Sequence, residues 1–469
     1  MRHISTTLSV LALALLACQG GPESKPLVAP LGAVPFVDTD PDPDAIEISV
    51  VAAPASWSYL PGKPAEVWAY HDGNAATPQG RVPGPMLLGK VGDRVTVRFR
   101  NELPEETTVH WHGIRVHAAH DGSNVSQMGV QPGETFTYEF TLTDAGTFWF
   151  HPHLDADVQI ERGLYAPIVV LGDEVPVDND RVLVLDDVKV ESNGLLSATI
   201  TSLDLMVGRQ GNVLLVNGEK LPRLAAPSGG RERWRLLNSA NGTFFNVSLP
   251  GHRLRVIGWD GGLLAEPYEV ETLVIAPGER YDVLVELGGA EGEELELQTL
   301  YYDRGHELPD LGARTIATIA LQAPSATPPP PLPDRWSTIE PLPVVADTPR
   351  RLLELTEQDA MGPDDEPEFF INDRAFPDVS PVVVADNALE VWEIKNGMEM
   401  DHPFHLHGIF FQVLDQPHLG WKDTVNVPRN STVRIVARFD NPGLWMFHCH
   451  ILEHSERGMM GVLQVGASP

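Results

Sequence analysis

The segment Gln131 to His153, QPGETFTYEFTLTDAGTFWFHPH, returns near the C-terminus as VPRNSTVRIVARFDNPGLWMFHCH, Val427 to His450. Each copy runs from a Pro-containing turn through a strand and a Gly-containing turn to an aromatic residue followed by His-x-His. The opening of the same pattern occurs once more in mid-chain as APGERYDVLVEL, Ala276 to Leu287, and no histidines follow it. Likewise VHWHG at Val109 matches FHLHG at Phe404, while the middle counterpart, FFNVSLPG from Phe244, carries none. A repeat of this kind confines the chain to a tandem of similar units. Three units also suit 469 residues, because a single core stops growing at roughly 250–300 residues.

Between the repeats lie short alternating runs such as DRVTVRFRNEL, ERWRLLNSA and LEVWEIKNG, separated by turn clusters. With 41 prolines and 41 glycines and no long amphipathic helical pattern, the fold class is all-β, a series of β-sandwiches. The expected units are 46–172, 173–322 and 335–469. The second lacks metal ligands, and a stiff Pro-rich linker over 323–334 (APSATPPPPLP) precedes the third.

Four His-x-His pairs occur, His110/His112, His151/His153, His405/His407 and His448/His450. One pair alone could be a satisfied core pair, but four in two matched repeats point to metal. In a strand, residues i and i+2 face the same side, so each pair projects two imidazoles together. Cys449, between His448 and His450, must then face the opposite way and serve a second site adjoining the first. His402 has the parity of that second site. With His454 and Met459 it completes a His2Cys set plus thioether, the ligand set of a blue-copper electron-transfer centre. Zinc suits this set poorly, since Met is a weak zinc ligand and no second cysteine is at hand.

The N-terminus, MRHISTTLSVLALALLACQGG, reads as an export signal too short to span a membrane. Leu15-Leu16-Ala17-Cys18 resembles a lipoprotein-type signal peptide over 1–18, which would leave a lipid on Cys18 as the only membrane attachment. No twin-Arg pair is present, so export unfolded, with metal acquired outside the cytoplasm, is expected; the predicted location is the periplasm or cell envelope. Residues 19–45, with DTDPDPD, read as a flexible tether. If Cys18 is the anchor, Cys449 has no disulfide partner, which suits metal ligation in an oxidising compartment. A net charge of −32 excludes nucleic acid as a partner.

With HWHG, HPH, HPFHLHG and HCHILEHSERGMM in this order, residues 46–469 resemble the three-domain multicopper oxidases, the family of laccases, bacterial cuprous oxidases and bilirubin oxidase. The resemblance implies three consecutive cupredoxin-like (plastocyanin-like) Greek-key β-sandwich domains and four copper ions. Type 1 copper would take His402, Cys449, His454 and the axial Met459. Type 2 copper would take His110 and His405. The type 3 pair would take His112, His151 and His450 on one ion and His153, His407 and His448 on the other, so the trinuclear cluster would lie between domains 1 and 3. The implied reaction is four one-electron oxidations at the type 1 centre, coupled through Cys449 to reduction of dioxygen to water. Asp121 matches the family acid near the cluster.

Two departures bear on function. Many bacterial members carry Glu directly after the second type 1 histidine, where this chain has Ser455; the acid role then passes to Glu456 or to water, or is absent. A methionine-rich segment for gathering Cu(I) is absent, since the ten methionines are scattered. The axial Met459 implies a moderate potential and easily oxidised donors. Met398, Glu399, Met400 and Asp401 precede His402 and either line its exposed edge, docking a metal ion or a phenol, or form a loop of core methionines and solvated acids. The expected function is laccase-like oxidation of phenols and aromatic amines by a monomer. Cuprous oxidation for copper tolerance is the alternative within the enzyme class, and non-catalytic copper sequestration the alternative outside it.

Overall fold

The computed structural model describes residues 27–172, 175–306, 308–327, 329–333, 336–358 and 366–466. The signal segment, Cys18 and the first residues of the expected tether lie outside them. The described chain forms six sheets, two per repeat. The first repeat joins a four-stranded sheet (Lys63–Asp72, Ala45–Leu60, Arg94–Asn101, Thr135–Thr141) to a three-stranded one (Leu87–Lys90, Ala166–Leu171, Gly146–Phe150). The second pairs a five- with a six-stranded sheet between Asn179 and Gln322, and the third two five-stranded sheets between Arg350 and Val465. Three short α-helices and one 3-10 turn (Ala118–His120) interrupt the described strands: α1 (Ala156–Gln159), α2 (Ser202–Val207) and α3 (Leu452–Glu456).

The repeats read from sequence occupy equivalent places. Each opening strand pairs in parallel with a later strand: Ala45–Ala52 with Arg94–Asn101, Asn179–Leu185 with Glu232–Asn238, and Arg350–Leu355 with Val391–Asn396. That later strand pairs antiparallel with the motif strand, which is Thr135–Thr141, Arg280–Glu286 or Ser431–Phe439. An asparagine closes the later strand each time. Asn101 donates to the carbonyls of Glu105 and Val130, Asn238 to those of Thr243 and Ile275, and Asn396 to those of Met400 and Val427. Each side-chain oxygen accepts the amide two residues on, at Leu103, Ala240 and Met398. Buried backbone groups need partners, so one side chain fixes the corner that leads to each histidine-bearing segment or its empty counterpart.

One apolar cluster runs through repeats one and three, from Val109, Trp111 and Phe150 to Phe404, Phe447 and Met459, while repeat two has its own core around Trp234 and Val283. A third cluster, with Tyr59, Trp149, Leu215 and Leu452, seals the junction of all three. The segment after Leu27 departs from the expected tether. Leu31 bonds to Asp180 and Val182, Phe36 and Val34 bond to Met86, and the Phe36 ring enters the first core. The reason is local: between the Pro and Asp residues stand apolar Leu31, Val34 and Phe36, whose backbone complements open edges of two repeats. A fragment starting at Leu27 is therefore expected to unfold at a higher temperature than one starting at Ile46, since losing a buried Phe alone costs about 3–5 kcal/mol. Equal melting temperatures would sink this packing.

Candidate metal centres

The two His-x-His segments of each outer repeat meet across a strand pair. His110 and His151 exchange both backbone hydrogen bonds, at 2.8 and 3.1 Å, and His405 stands opposite His448 in the antiparallel register. All eight imidazoles are buried. Their second nitrogens define which atoms remain free. His448 Nδ1 donates to the Cys449 carbonyl (2.8 Å) and His407 Nδ1 to Asp121 Oδ2 (3.0 Å), so both Nε2 atoms carry lone pairs. Yet His407 Nε2 lies 3.1 Å and His153 Nε2 3.3 Å from His448 Nε2. The facing lone pairs of His407 and His448 repel unless a cation lies between them.

The same logic holds on the other side. His110 Nδ1 donates to the Asp121 carbonyl and His405 Nδ1 to the Asp423 carbonyl, both at 2.9 Å, which leaves each buried Nε2 without a partner. His151 Nδ1 donates to the Pro152 carbonyl, and its Nε2 faces His112 Nδ1 at 3.4 Å. His112 is turned the opposite way, with Nε2 donating to Asp423 Oδ1 at 3.1 Å. Neither nitrogen of His450 has a partner; its ring lies 5.0 Å from that of His112, and Gly278 of the second repeat (φ +83°) fits against it where a Cβ would come within 2.8 Å. Burial, with neighbouring imidazoles adding to it, holds His112, His151, His407, His448 and His450 well below the usual imidazole range and brings His153 down to about 3. At neutral pH the rings are uncharged donors.

On the opposite face of strand Gly443–Cys449, Cys449 Sγ lies 3.5 Å from His402 Nδ1 and 3.9 Å from His454 Nδ1, and the two Nδ1 atoms are 3.3 Å apart. His454 Nε2 donates to the Met206 carbonyl on α2 at 3.0 Å, and its ring stacks on Phe369. Met459 is buried; its amide donates to the His454 carbonyl and its carbonyl accepts from Cys449 N. Burial pushes the Cys449 thiol up to about 12, so a thiolate here needs a cation beside it.

Asp121, buried between His110 and His407, is brought to the cluster. Burial opposes its ionisation, but His407 and His110 outweigh that and hold the carboxyl well below the usual carboxylate range. Glu456 sits elsewhere: its Oε1 accepts from Ala156 N at the start of α1, and burial pushes it up to about 8. Ser455 donates to the Leu452 carbonyl within α3. Of the two readings of the loop before His402, the methionines follow the core one, while Glu399 is exposed. Met398 and Met400 are buried, and the Asp401 carboxylate is occupied by Tyr302, Asn426 and the Arg429 amide, because the Asn396 corner folds the loop inward.

Models of the multicopper oxidase family match residues 62–174, 184–293 and 347–469. The chain is 31% identical to the multicopper oxidase MmcO of Mycobacterium tuberculosis, over 81% of this chain and 80% of that one. Among solved structures, a multicopper oxidase from Pseudomonas thermotolerans superposes with a TM-score of 0.77 at 30% identity, covering 90% of this chain and 99% of that one. A Campylobacter jejuni multicopper oxidase described as a metallo-oxidase gives 0.80 at 26% identity, covering 93% and 94%. The chain belongs to the multicopper oxidase family. It is an oxidoreductase of cupredoxin-like domains, and the buried nitrogen and sulfur donors suit the copper that the family implies: imidazole and thiolate both bind it, and no carboxylate enters the His402, Cys449, His454 group.

The sequence reading missed the ion network behind this oxidase's cluster. Arg280, fully buried on the second repeat's motif strand, pairs both nitrogens with the Asp423 carboxylate, one at 2.7 Å, and its guanidinium also donates to the Thr147, Gly278 and Asp260 carbonyls. Lys422 bridges Asp260 and Glu279. A charge pair in PGER and WKDT was visible, but nothing in one sequence says that they meet. Asp423 fixes the tautomer of His112, leaving Nδ1 as the free donor. Asp423→Asn is therefore expected to weaken copper held at the histidine cluster by about 10–100-fold in chelator competition, with the blue thiolate absorption retained. Unchanged affinity would rule out this role.

Proposed function

We propose that this oxidase holds four copper ions and couples oxidation of phenols or aromatic amines to reduction of dioxygen to water. The observation that carries the reading is the pair of adjoining donor clusters joined by His448-Cys449-His450, with every donor buried. In this reading His402, Cys449, His454 and Met459 hold type 1 copper, and His110 with His405 hold type 2. His112, His151 and His450, and His153, His407 and His448, hold the type 3 pair. Copper supplies one-electron oxidation at the first centre and dioxygen reduction at the second. Asp121 keeps the protons of His110 and His407 on Nδ1, aiming each Nε2 inward, and is the acid placed to move protons there. The second repeat excludes water from His450 and His454 through Gly278 and Met206.

Support for an organic donor comes from α2. Its Met206 carbonyl accepts from His454, and its Leu203 is 59% exposed, an apolar side chain on the helix beside this centre. The inward-turned Met398, Met400 and Asp401 weaken a Cu(I) docking site before His402. The metallo-oxidase description of the Campylobacter jejuni relative favours the second reading, cuprous oxidation for copper tolerance. Export to the periplasm or cell envelope, with a lipid on Cys18, belongs to the same proposal.

The test is oxygen uptake by the copper-loaded chain, comparing kcat/KM for a dimethoxyphenol and for Cu(I), with and without added Cu(II). Efficient phenol turnover without added copper is expected. Strong preference for Cu(I), or phenol turnover only with added copper, favours the cuprous oxidase. No uptake with either donor from a four-copper protein leaves copper sequestration.

A further inference from the structure

Beside the His402, Cys449 and His454 group lies a buried cation that the ligand motifs do not contain. Arg304 follows strand Glu294–Leu300 in the second repeat and is 2% exposed. Its carbonyl accepts the amide of Asp401, the residue before His402, at 2.8 Å. Its guanidinium lies over the Phe244 ring, 5.3 Å from the centroid, and Nη2 donates to the Val207 carbonyl at 2.5 Å. Val207 ends α2 and adjoins Met206, whose carbonyl accepts from His454 Nε2. Consecutive carbonyls at a helix C-terminus, where a cation is favoured, thus hold Arg304 and His454 side by side.

No carboxylate neutralises this guanidinium directly. Among the described residues none comes within the 4.0 Å of an ion pair, and Nη1 has no hydrogen-bond partner. The anions that face it are Asp187, Asp401 and Glu453, and each is engaged elsewhere. Asp187 accepts from Thr243 and Gly211, Asp401 from Tyr302, Asn426 and Arg429, and Glu453 from Asn241. Burial lowers Arg304 to about 10, which still leaves it protonated at neutral pH. Coulomb interactions act strongly in such an interior, where the effective dielectric constant is about 20 or less.

We propose that the buried charge of Arg304 raises the reduction potential of copper held by His402, Cys449 and His454, and so extends the range of donors that the oxidase accepts. The inference rests on the type 1 reading of that group. Gaining one electron lowers the positive charge of the centre by one, so a fixed cation beside it favours the reduced state. Arg304 is a positioning and tuning residue that touches no reacting atom, and it opposes the lower potential expected of an axial methionine.

The test is a redox titration of the blue absorption band in the copper-loaded full chain and in Arg304→Gln and Arg304→Lys. Arg304→Gln is expected to shift the equilibrium about tenfold toward Cu(II), about 59 mV for one electron, with the blue band in place. Arg304→Lys is expected to stay within threefold of the unsubstituted protein, about 28 mV. An unchanged potential in Arg304→Gln overturns the proposal. So does an equal fall in both variants with an altered electron paramagnetic resonance spectrum, because the hydrogen bond to Val207 would then matter and the charge would not. Should Arg304→Gln fail to load copper, Arg304→Met carries the test: a lowered potential with the blue band in place is expected, and an unchanged one overturns the charge mechanism. A loaded unsubstituted protein without a blue band would remove the type 1 reading itself, a separate outcome.

Discussion

Neutral imidazole lone pairs aimed at one another across about 3 Å of protein interior repel until a cation stands between them, and the surrounding fold is organised to hold them in that state. His407 and His448 show it most directly, since their outer nitrogens are committed as donors to Asp121 and to the Cys449 carbonyl. Each commitment fixes a tautomer, and each tautomer fixes which nitrogen faces inward. His112 is the informative exception. Asp423 takes its Nε2, so Nδ1 becomes the free donor, and the buried Arg280, with Thr424 Oγ1, makes that carboxylate tolerable in the interior.

The second repeat contributes no residue to the donor groups found among the described residues, but it is not a spacer. Its Arg280 reaches Asp423, its Gly278 packs on His450, and its Met206 carbonyl holds His454. Arg280 and Gly278 belong to the motif segment APGERYDVLVEL, the counterpart of the segments that end in histidines elsewhere. The repeat keeps its strand and its place in the sheet while its polar ends turn outward to serve the neighbouring centres.

The fold was legible because strand period and turn spacing are local properties, and three copies of one motif constrain topology far beyond what one copy does. Alternation along a strand also separates Cys449 from His448, and the structure groups Cys449 with His402 and His454 but His448 with His153 and His407. What escaped were contacts between repeats. Asp423 and Arg280 are 143 residues apart and carry no spacing signal. Glu456 looked like a substitute acid from its place beside Ser455, yet the turn of α3 sends it to the start of α1. The asparagine corners at Asn101, Asn238 and Asn396 were readable as a threefold coincidence after each strand, but a single polar residue between a strand and a turn resembles any surface turn until its burial is known.

The histidine cluster draws on repeats one and three alike, so metal affinity and domain docking are thermodynamically linked. A cation that binds His153 together with His407 and His448 binds only the docked arrangement, and it stabilises that arrangement by the same free energy. The shared apolar cluster from Val109 to Met459 supplies the metal-independent part of that docking. The two contributions differ in kind. Apolar burial tolerates small shifts, whereas convergence of three nitrogens on one point does not, so the cation selects one arrangement among those the core allows. Arg280 and Asp423 narrow the choice further, because a buried charge pair that also holds a ligand tautomer is satisfied only when all three repeats are in register.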